Sequence, residues 1–274
     1  MTATAAIISI GAEILTGRTL DRNSNALAKA LTGIGFVVSE IRVIPDSKIA
    51  IVASVRTLLG TNSLIVTTGG LGATPDDLTL ESVAAALELP LVHSHEVEGL
   101  IRTRYAKIMA SSGDRSSPPE EAVQKLSKIP RGGVTLNNSA GVAPGIGIQK
   151  AAVTIISLPG VPRELTSVFE SFDSTRLLRE AGGTGGYAEY TTETSARFET
   201  DFLSIIERMK GTYRERVLVK PRVKRFGEDV RILVRIAATG EDFISARTLA
   251  QEAMVEFRRL ALETGIDSAE PTDS

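Results

Sequence analysis

Short apolar runs alternate with helix-like segments along residues 1–175, and this alternation is the strongest constraint on the fold. Residues 5–10, 64–67 and 152–158 are predominantly apolar, which is typical of strands buried on both faces of a parallel sheet. Segments with apolar residues at helical spacing lie between these runs, and glycines or prolines end them. The alternation therefore predicts a mostly parallel sheet covered by helices.

The last third of the chain follows a different pattern. A glycine-rich stretch predicts a linker at residues 176–186. The order of patterns after it is βαββα, which predicts a small ferredoxin-like α+β domain at residues 187–265. Residues 266–274 are polar and are predicted to form a disordered tail.

Composition excludes several classes of function. The net charge of −2 gives no basic surface for nucleic acid. The absence of cysteine excludes disulfides and thiolate metal sites. No window approaches the roughly 18 apolar residues that a membrane span needs, so a cytoplasmic protein without a membrane partner is expected.

The segment TTGGLGATPDDLT, residues 67–79, carries the clearest chemical signal. Gly69, Gly70 and Gly72 directly follow a strand, and glycine lets backbone N–H groups approach an anion closely. Asp76 and Asp77 then precede a predicted helix. Two carboxylates beside a phosphate cradle favour a divalent cation such as Mg²⁺ or Mn²⁺. The alternative is an ordinary glycine turn that ends in an aspartate cap. The sequence contains neither a P-loop nor a GxGxxG fingerprint.

Ligands of parallel sheets bind beyond the carboxyl ends of the strands, where four loops of this chain should meet. Glu13, Asp46, Asp76 and Asp77 could share that cleft as catalytic residues, a pattern typical of metal-assisted phosphoryl chemistry. Asp76 and Asp77 would hold the cation, and Glu13 would add a ligand or position a water molecule. For Asp46, helix capping is the favoured alternative. The residues expected to contact substrate are Gly11, Asp21, Asn23, Thr68, Gly69, Gly70, Gly72, Asn138, Gly141, Pro159 and Gly160.

Two other features have simpler interpretations. The loop that contains Asn138 and Gly141 offers amide groups to a polar ligand, although a hairpin turn explains it equally well. His93 and His95 follow no predicted strand of the sheet, so a surface role is favoured over metal binding.

Five motifs, in this order and spacing, resemble the CinA family of competence/damage-inducible proteins: GAEILTGRTLDRNSNALAKAL, VIPDSKIAI, IVTTGGLGATPDDLT, NSAGVAPG and LPGVPREL. The segment FGEDVRILVRIAATG resembles the small α+β domain of that family. The resemblance implies a three-layer α/β/α fold akin to MoaB and MogA, which bind or adenylylate molybdopterin.

The same resemblance implies a metal-dependent hydrolase that cleaves ADP-ribose to AMP and ribose 5-phosphate. Its cofactors would be a divalent ion (Mg²⁺, Mn²⁺ or Co²⁺) and K⁺. By motif, Glu13, Asp46 and Asp77 match the family's acidic positions. Ala12 stands where many members carry aspartate, which removes one possible metal ligand. The deamidase domain fused to many members has no room after residue 274, so deamidation is not predicted.

Three functions therefore stand side by side. The first is the hydrolase of ADP-ribose or a related adenylyl diphosphate, with a small-molecule nucleotide as its substrate. The second is a molybdopterin-binding or adenylyltransferase-type protein, and the third is a nucleotide-binding regulator without catalysis. A homodimer is expected in each case.

Overall fold

The computed structural model describes residues 3–111, 118–183, 185–225 and 231–273. The chain forms two units: Met1–Leu31 with Phe36–Gly183, and Thr32–Gly35 with Thr184–Ser274. The boundary between Gly183 and Thr184 lies inside the predicted linker.

The first unit contains eight strands and eight helices in its described residues. The strands are β1 (Thr4–Ile10), β2 (Val37–Ile44), β3 (Leu64–Thr68), β4 (Leu91–His93), β5 (Lys128–Pro130), β6 (Val134–Leu136), β7 (Gly145–Lys150) and β8 (Val153–Leu158). The helices are α1 (Ala12–Leu15), α2 (Arg22–Gly33), α3 (Lys48–Leu58), α4 (Thr79–Ala86), α5 (His95–Ser111), α6 (Glu120–Leu126), α7 (Pro162–Phe169) and α8 (Phe172–Glu180).

Six strands form the central sheet in the order β2-β1-β3-β8-β7-β6. The first four are parallel, and β7 is antiparallel to both of its neighbours. Strands β3 and β8 are buried along their whole length, as their apolar sequences predict. Strand β2 lies at the edge, and its residues largely alternate between exposed and partly buried. A separate antiparallel ribbon pairs β4 with β5.

Helices cover both faces of this sheet. Ala6, Ile8 and Ile10 of β1 pack in one cluster with apolar residues of α3, α4, α5 and α6. Because side chains alternate along a strand, Ile7 lies on the opposite face, where it is also fully buried. On this opposite face, α7 and α8 pack so closely against β7 that a Cβ atom on Gly145 or Gly147 would collide with their side chains. The result is three layers, helices on sheet on helices.

The second unit has the predicted βαββα order and one further strand. Its elements are β9 (Gly186–Thr194), α9 (Leu203–Tyr213), β10 (Val217–Arg225), β11 (Arg231–Gly240), α10 (Phe243–Glu263) and β12 (Thr272–Asp273). The sheet is antiparallel in the order β10-β11-β9-β12. Its core is a cluster of its own, which includes Phe202, Met254 and Phe257.

Two segments differ from the prediction. Helix α8 extends to Glu180, so it occupies the first half of the predicted 176–186 linker. The segment 266–273 is ordered rather than a disordered tail, since Ile266 is buried and β12 pairs with β9. The polar composition misled the prediction because the backbone groups of this segment pair with the edge of β9.

None of the helices in the described residues is long and apolar enough to cross a membrane.

Candidate functional site

The four loops predicted to meet do lie along one edge of the sheet. Strands β2, β1, β3 and β8 are neighbours and run parallel, so the loops after Ile44, Ile10, Thr68 and Leu158 leave from the same side. Backbone hydrogen bonds join them directly, since Gly11 N donates to Ile44 O at 3.1 Å and Gly69 N donates to Leu158 O at 3.1 Å.

Asn23 connects three of these segments. Its side-chain Nδ2 donates to Thr68 Oγ1 at 3.1 Å and to Gly160 O at 2.7 Å. The Thr68 hydroxyl in turn donates to Pro159 O at 3.1 Å. Both amide hydrogens of Asn23 are therefore used to hold the strand ends together.

The glycine turn after β3 depends on residues without side chains. Gly69 and Gly70 have φ values of 100° and 63°, a region that favours glycine. Helix α4 fixes this turn through Thr79, whose Oγ1 donates to Gly69 O at 2.7 Å and whose N donates to Gly70 O at 3.2 Å. A Cβ atom on Gly160 would lie 3.4 Å from Gly69 Cα, so two loops touch here through backbone alone.

A cavity of about 410 Å³, here called the strand-end cavity, opens on one side of this turn. Its wall contains Ser9, Ile10, Glu13, Ile14, Arg18, Thr19, Leu20, Asp21, Arg22, Asn23, Thr68, Gly69, Gly160 and Pro162. The Ser9 hydroxyl is buried and has no hydrogen-bond partner among the residues that the structure describes. An unpaired buried hydroxyl costs about 1–3 kcal/mol, so a ligand group that pairs with it is favoured.

A second cavity of about 510 Å³, here called the flanking cavity, starts at the next residue of the turn. Its wall contains Gly70, Leu71, Gly72, Asp77, Leu80, Glu81, Leu91, Glu121, Gln124, Lys125, Leu126, Lys128, Ala143, Pro144 and Ile146. The lining is largely apolar, with Lys125 and Lys128 as its cationic groups. Asp77, Glu81 and Glu121 add three carboxylates to the same wall, so its apolar part suits a flat ring but the wall has no excess of positive charge.

The aspartates of the glycine motif lie before helix α4, which begins at Thr79. Asp77 Oδ2 accepts from Thr74 N at 2.9 Å and from Thr74 Oγ1 at 2.5 Å. The carboxylate also lies against Gly72, where a Cβ atom would be 2.4 Å from Oδ2. The nearby Thr74 side chain is the largest cause that lowers the pKa of Asp76, and the backbone N–H of Asp76 and the Lys125 charge add to it.

Asp46 and Asp21 hold backbone in place. Asp46 Oδ2 accepts from Ala12 N at 2.9 Å and so joins the first loop to the second. The prediction that Asp46 caps the helix after it is wrong, because Ser47 occupies that position without a side-chain hydrogen bond. Asp21 Oδ1 accepts from Ser24 N at 2.9 Å, which makes Asp21 the cap of α2.

The four predicted catalytic carboxylates do not converge. Glu13 lines the strand-end cavity, Asp77 lines the flanking cavity, and the glycine turn separates them. Within the part of the chain that the structure describes, only His93, His95 and Glu98 bring three potential ligand atoms within 4.8 Å of one another. The arrangement of Glu13, Asp76 and Asp77 therefore does not fit a divalent-metal centre that these residues would build by themselves.

Asn138 and Gly141, predicted to contact substrate, are engaged in the structure of their own loop. Asn138 is fully buried, and its Nδ2 donates to Ala143 O at 2.7 Å and to Glu164 Oε2 at 2.8 Å. A Cβ atom on Gly141 would collide with the Glu164 carboxylate. Arg104 also holds this loop, and burial lowers the pKa of its guanidinium while the Glu164 charge opposes that effect. Ala143 and Pro144 of this loop line the wall of the flanking cavity.

Comparison with known proteins identifies the family. The model of a probable molybdopterin binding domain matches residues 6–179. A solved structure of the protein CinA from Thermoplasma acidophilum, of unknown function, is 30% identical in sequence and has a TM-score of 0.57. The match covers 64% of this chain and 98% of the CinA chain. The chain belongs to the CinA family. A CinA-like protein from Parasynechococcus marenigrum is 32% identical over 92% of this chain and 58% of that protein. A protein from Sulfurisphaera tokodaii is 29% identical over 95% of this chain and 96% of its own.

The predicted CinA-family membership and the predicted fold are thereby confirmed. The match over residues 6–179 ends within helix α8, which supports the observed end of the first unit.

Sequence reasoning missed several residues of this CinA-like site. Ser9, Arg18 and Arg22 line the strand-end cavity. Neither guanidinium forms an ion pair with a carboxylate of the described residues, although both belong to the segment GRTLDR that follows β1. An unpaired arginine beside a glycine turn is a signal for an anion. The sequence prediction considered the acidic residues of this segment and not its arginines. Lys125 and Lys128 reach the flanking cavity from another part of the chain, without any local motif.

Proposed function

We propose that this chain binds a phosphorylated pterin of the molybdopterin type at the strand ends of its first unit. The observation that carries the proposal is the Ser9 hydroxyl, which is buried in the wall of the strand-end cavity and unpaired. The match of the molybdopterin-binding family over this unit supports the same ligand class.

The strand-end cavity offers two arginines to a phosphate, beside the carboxylates of Glu13 and Asp21. Arg18 and Arg22 offer planar forks of N–H donors, which match phosphate oxygens better than lysine does. A Cβ atom on Gly69 would collide with Ile10 O, so the absence of a side chain lets this turn pack against the end of β1. Thr68 and Asn23 are already bonded to each other and to neighbouring loops, so their contribution is to keep this wall rigid.

The flanking cavity provides space for a second part of the ligand. Its apolar lining, from residues such as Leu71, Leu80 and Ile146, suits a flat ring, and its charged groups are two lysines and three carboxylates. A ligand with two parts, such as an adenylylated pterin, would extend across the Gly69–Gly70 turn. Transfer of an adenylyl group to the bound pterin would use both cavities, and it requires the pterin binding proposed above.

Hydrolysis of ADP-ribose stays a prediction, as does its need for a divalent ion and K⁺. The protein by itself does not bring Glu13, Asp76 and Asp77 together as metal ligands. These residues therefore supply no preformed metal site for hydrolysis.

Binding is tested with molybdopterin released anaerobically from a molybdenum enzyme, followed by its fluorescence. The Arg18→Met variant should bind about ten- to a hundredfold more weakly, because a hydrogen bond to a charged group contributes about 1.5–3 kcal/mol. Lys29→Met is the matched control, since Lys29 is an exposed cation on α2 outside the cavity wall. It should leave the affinity unchanged.

Parallel titrations with AMP and ADP-ribose separate the candidate functions. Release of AMP from ADP-ribose in the presence of Mg²⁺, Mn²⁺ or Co²⁺ with K⁺ would support the hydrolase in place of a pterin-binding protein. Equal loss of pterin affinity in Arg18→Met and Lys29→Met would refute the proposed site. No binding of molybdopterin by the wild-type chain would refute the proposal itself.

A further inference from the structure

A cluster of potential metal ligands lies outside the site described above. His93 ends strand β4, and His95 and Glu98 lie in the first turn of helix α5, three residues apart. Residues at this spacing share one face of a helix. The β4–α5 junction therefore brings two imidazoles and one carboxylate together, a combination that neither the family comparison nor the proposed pterin site uses.

The distances between the three groups match those of a metal centre. His93 Nε2 lies 2.9 Å from Glu98 Oε2, and His95 Nδ1 lies 3.7 Å from the same oxygen. One ligand atom from each residue lies within 4.8 Å of the other two. Tetrahedral zinc with bonds of about 2.0–2.1 Å requires ligand atoms about 3.3 Å apart. The 2.9 Å contact is a hydrogen bond between His93 and Glu98 that a zinc ion would replace, and the 3.7 Å separation is slightly longer than the tetrahedral value.

We propose that His93, His95 and Glu98 form a zinc-binding site. Two neutral imidazoles and a carboxylate are ligands that zinc prefers, and three protein ligands leave a fourth position for water. The site is open to entry, because the His95 side chain is 93% exposed, whereas His93 and Glu98 are 29% and 21% exposed.

Arg102 fixes the orientation of the carboxylate. Its Nε donates to Glu98 Oε1 at 2.9 Å, which leaves Oε2 to face the two imidazoles. Arg102 is itself held by both oxygens of Glu120 at 2.8 and 2.9 Å. Partners of this kind orient metal ligands and tune their affinity.

The composition of the chain makes this site easy to test. The sequence has two histidines and no cysteine, so any zinc held through imidazole must be held here. The untagged full chain is treated with EDTA, exchanged into metal-free buffer and titrated with ZnCl₂ by calorimetry. We expect one zinc ion per chain, and a visible spectrum of tetrahedral Co²⁺ when CoCl₂ replaces ZnCl₂.

Two variants test the ligands. His95→Ala and Glu98→Gln should each weaken zinc binding by more than about tenfold, the lower limit for loss of an outer partner. Glu96→Gln is the matched control, because Glu96 is an exposed carboxylate in the same helical turn and outside the ligand set. It should bind zinc as the wild type does.

Several results would overturn the site. They are an absence of stoichiometric zinc binding, wild-type affinity in a His93→Ala/His95→Ala double variant, or equal loss in Glu96→Gln and Glu98→Gln. Because His95 is almost fully exposed, its replacement should leave the fold intact, which far-ultraviolet circular dichroism checks. Pterin affinity is measured on the same samples and should not change in His95→Ala, so failure of this site and failure of the pterin site are distinguishable.

Discussion

At the scale of single residues, the site depends on what glycine allows. Gly70 has a φ of 63°, and a Cβ atom there would lie 2.4 Å from Thr79 Oγ1. That hydroxyl is buried and already bonded to Gly69 O, so it cannot move without loss of the bond. Gly70 is therefore fixed by both backbone angle and space.

Gly70→Ala should lower the free energy of unfolding by about 2–4 kcal/mol, the combined cost of a left-handed alanine and a disturbed hydrogen bond. Urea unfolding measures this change. Gly99→Ala is the control, because Gly99 lies within α5 and a Cβ atom there meets nothing within 4 Å. It should stabilise the chain by up to about 1 kcal/mol. A Gly70→Ala variant as stable as the wild type would contradict this account of the turn.

The acidic residues show where sequence reasoning at this scale ends. Asp46 and Asp77 were expected to serve catalysis, yet each accepts hydrogen bonds from backbone N–H groups of a neighbouring loop or turn. A sequence predicts which loops meet at a strand end, but the direction of a side chain depends on contacts across the loops. Ser9 shows the opposite error. A single serine in an apolar strand does not indicate a binding residue in the sequence, and its role becomes visible only when the structure shows that it lines the cavity.

At the scale of elements, the C-terminal segment contributes to the second unit. Ala269 N donates to Glu193 O at 2.8 Å, and Thr272 pairs with Thr191, so the segment covers the edge of β9. A covered edge cannot pair with another chain. Ile266 anchors the start of the segment in the core of the second unit.

Ile266→Ala should therefore lower the free energy of unfolding by about 2–4 kcal/mol, as for other buried apolar residues. Val255→Ala is the matched control on α10, where the side chain is 69% exposed. It should change stability by less than about 0.5 kcal/mol. If thermal unfolding of the two variants were the same, the segment would act as the disordered tail that its composition suggests.

Elements differ in how well the sequence predicts them. The apolar strands β3 and β8 were predictable because burial on both faces leaves a continuous pattern. Strands β4 and β5 have three residues each, too few for any periodicity, and they form only because each pairs with the other. For the same reason the position of His93 on a strand beside α5 was not apparent.

At the scale of the whole molecule, the two units have separate cores. The cluster around Ile8 and Ile65 shares no residue with the cluster around Phe202 and Phe257. The order of elements in both units was predictable because it follows from alternation and from βαββα order. The two-cavity arrangement was not, because it arises from segments far apart in the chain.

Separate cores should give separate unfolding events. Differential scanning calorimetry of the full chain is expected to resolve two transitions, since cooperativity extends only as far as a shared core. Gly70→Ala should move one transition and Ile266→Ala the other. A single transition that both substitutions lower equally would show that the units unfold together. The expected homodimer stays a prediction, which light scattering can decide.

The contacts of Thr79 couple the two cavities to each other through the Gly69–Gly70 turn. Gly69 lines one cavity and Gly70 the other, and both carbonyls accept hydrogen bonds from this one residue. A ligand that shifts this peptide from one side changes the shape presented on the other. Such linkage is reciprocal, so each fragment of a two-part ligand would alter the affinity for its counterpart by the same factor. Phosphate and ring fragments supplied separately would then influence each other without direct contact, and titration of one in the presence of the other measures the factor.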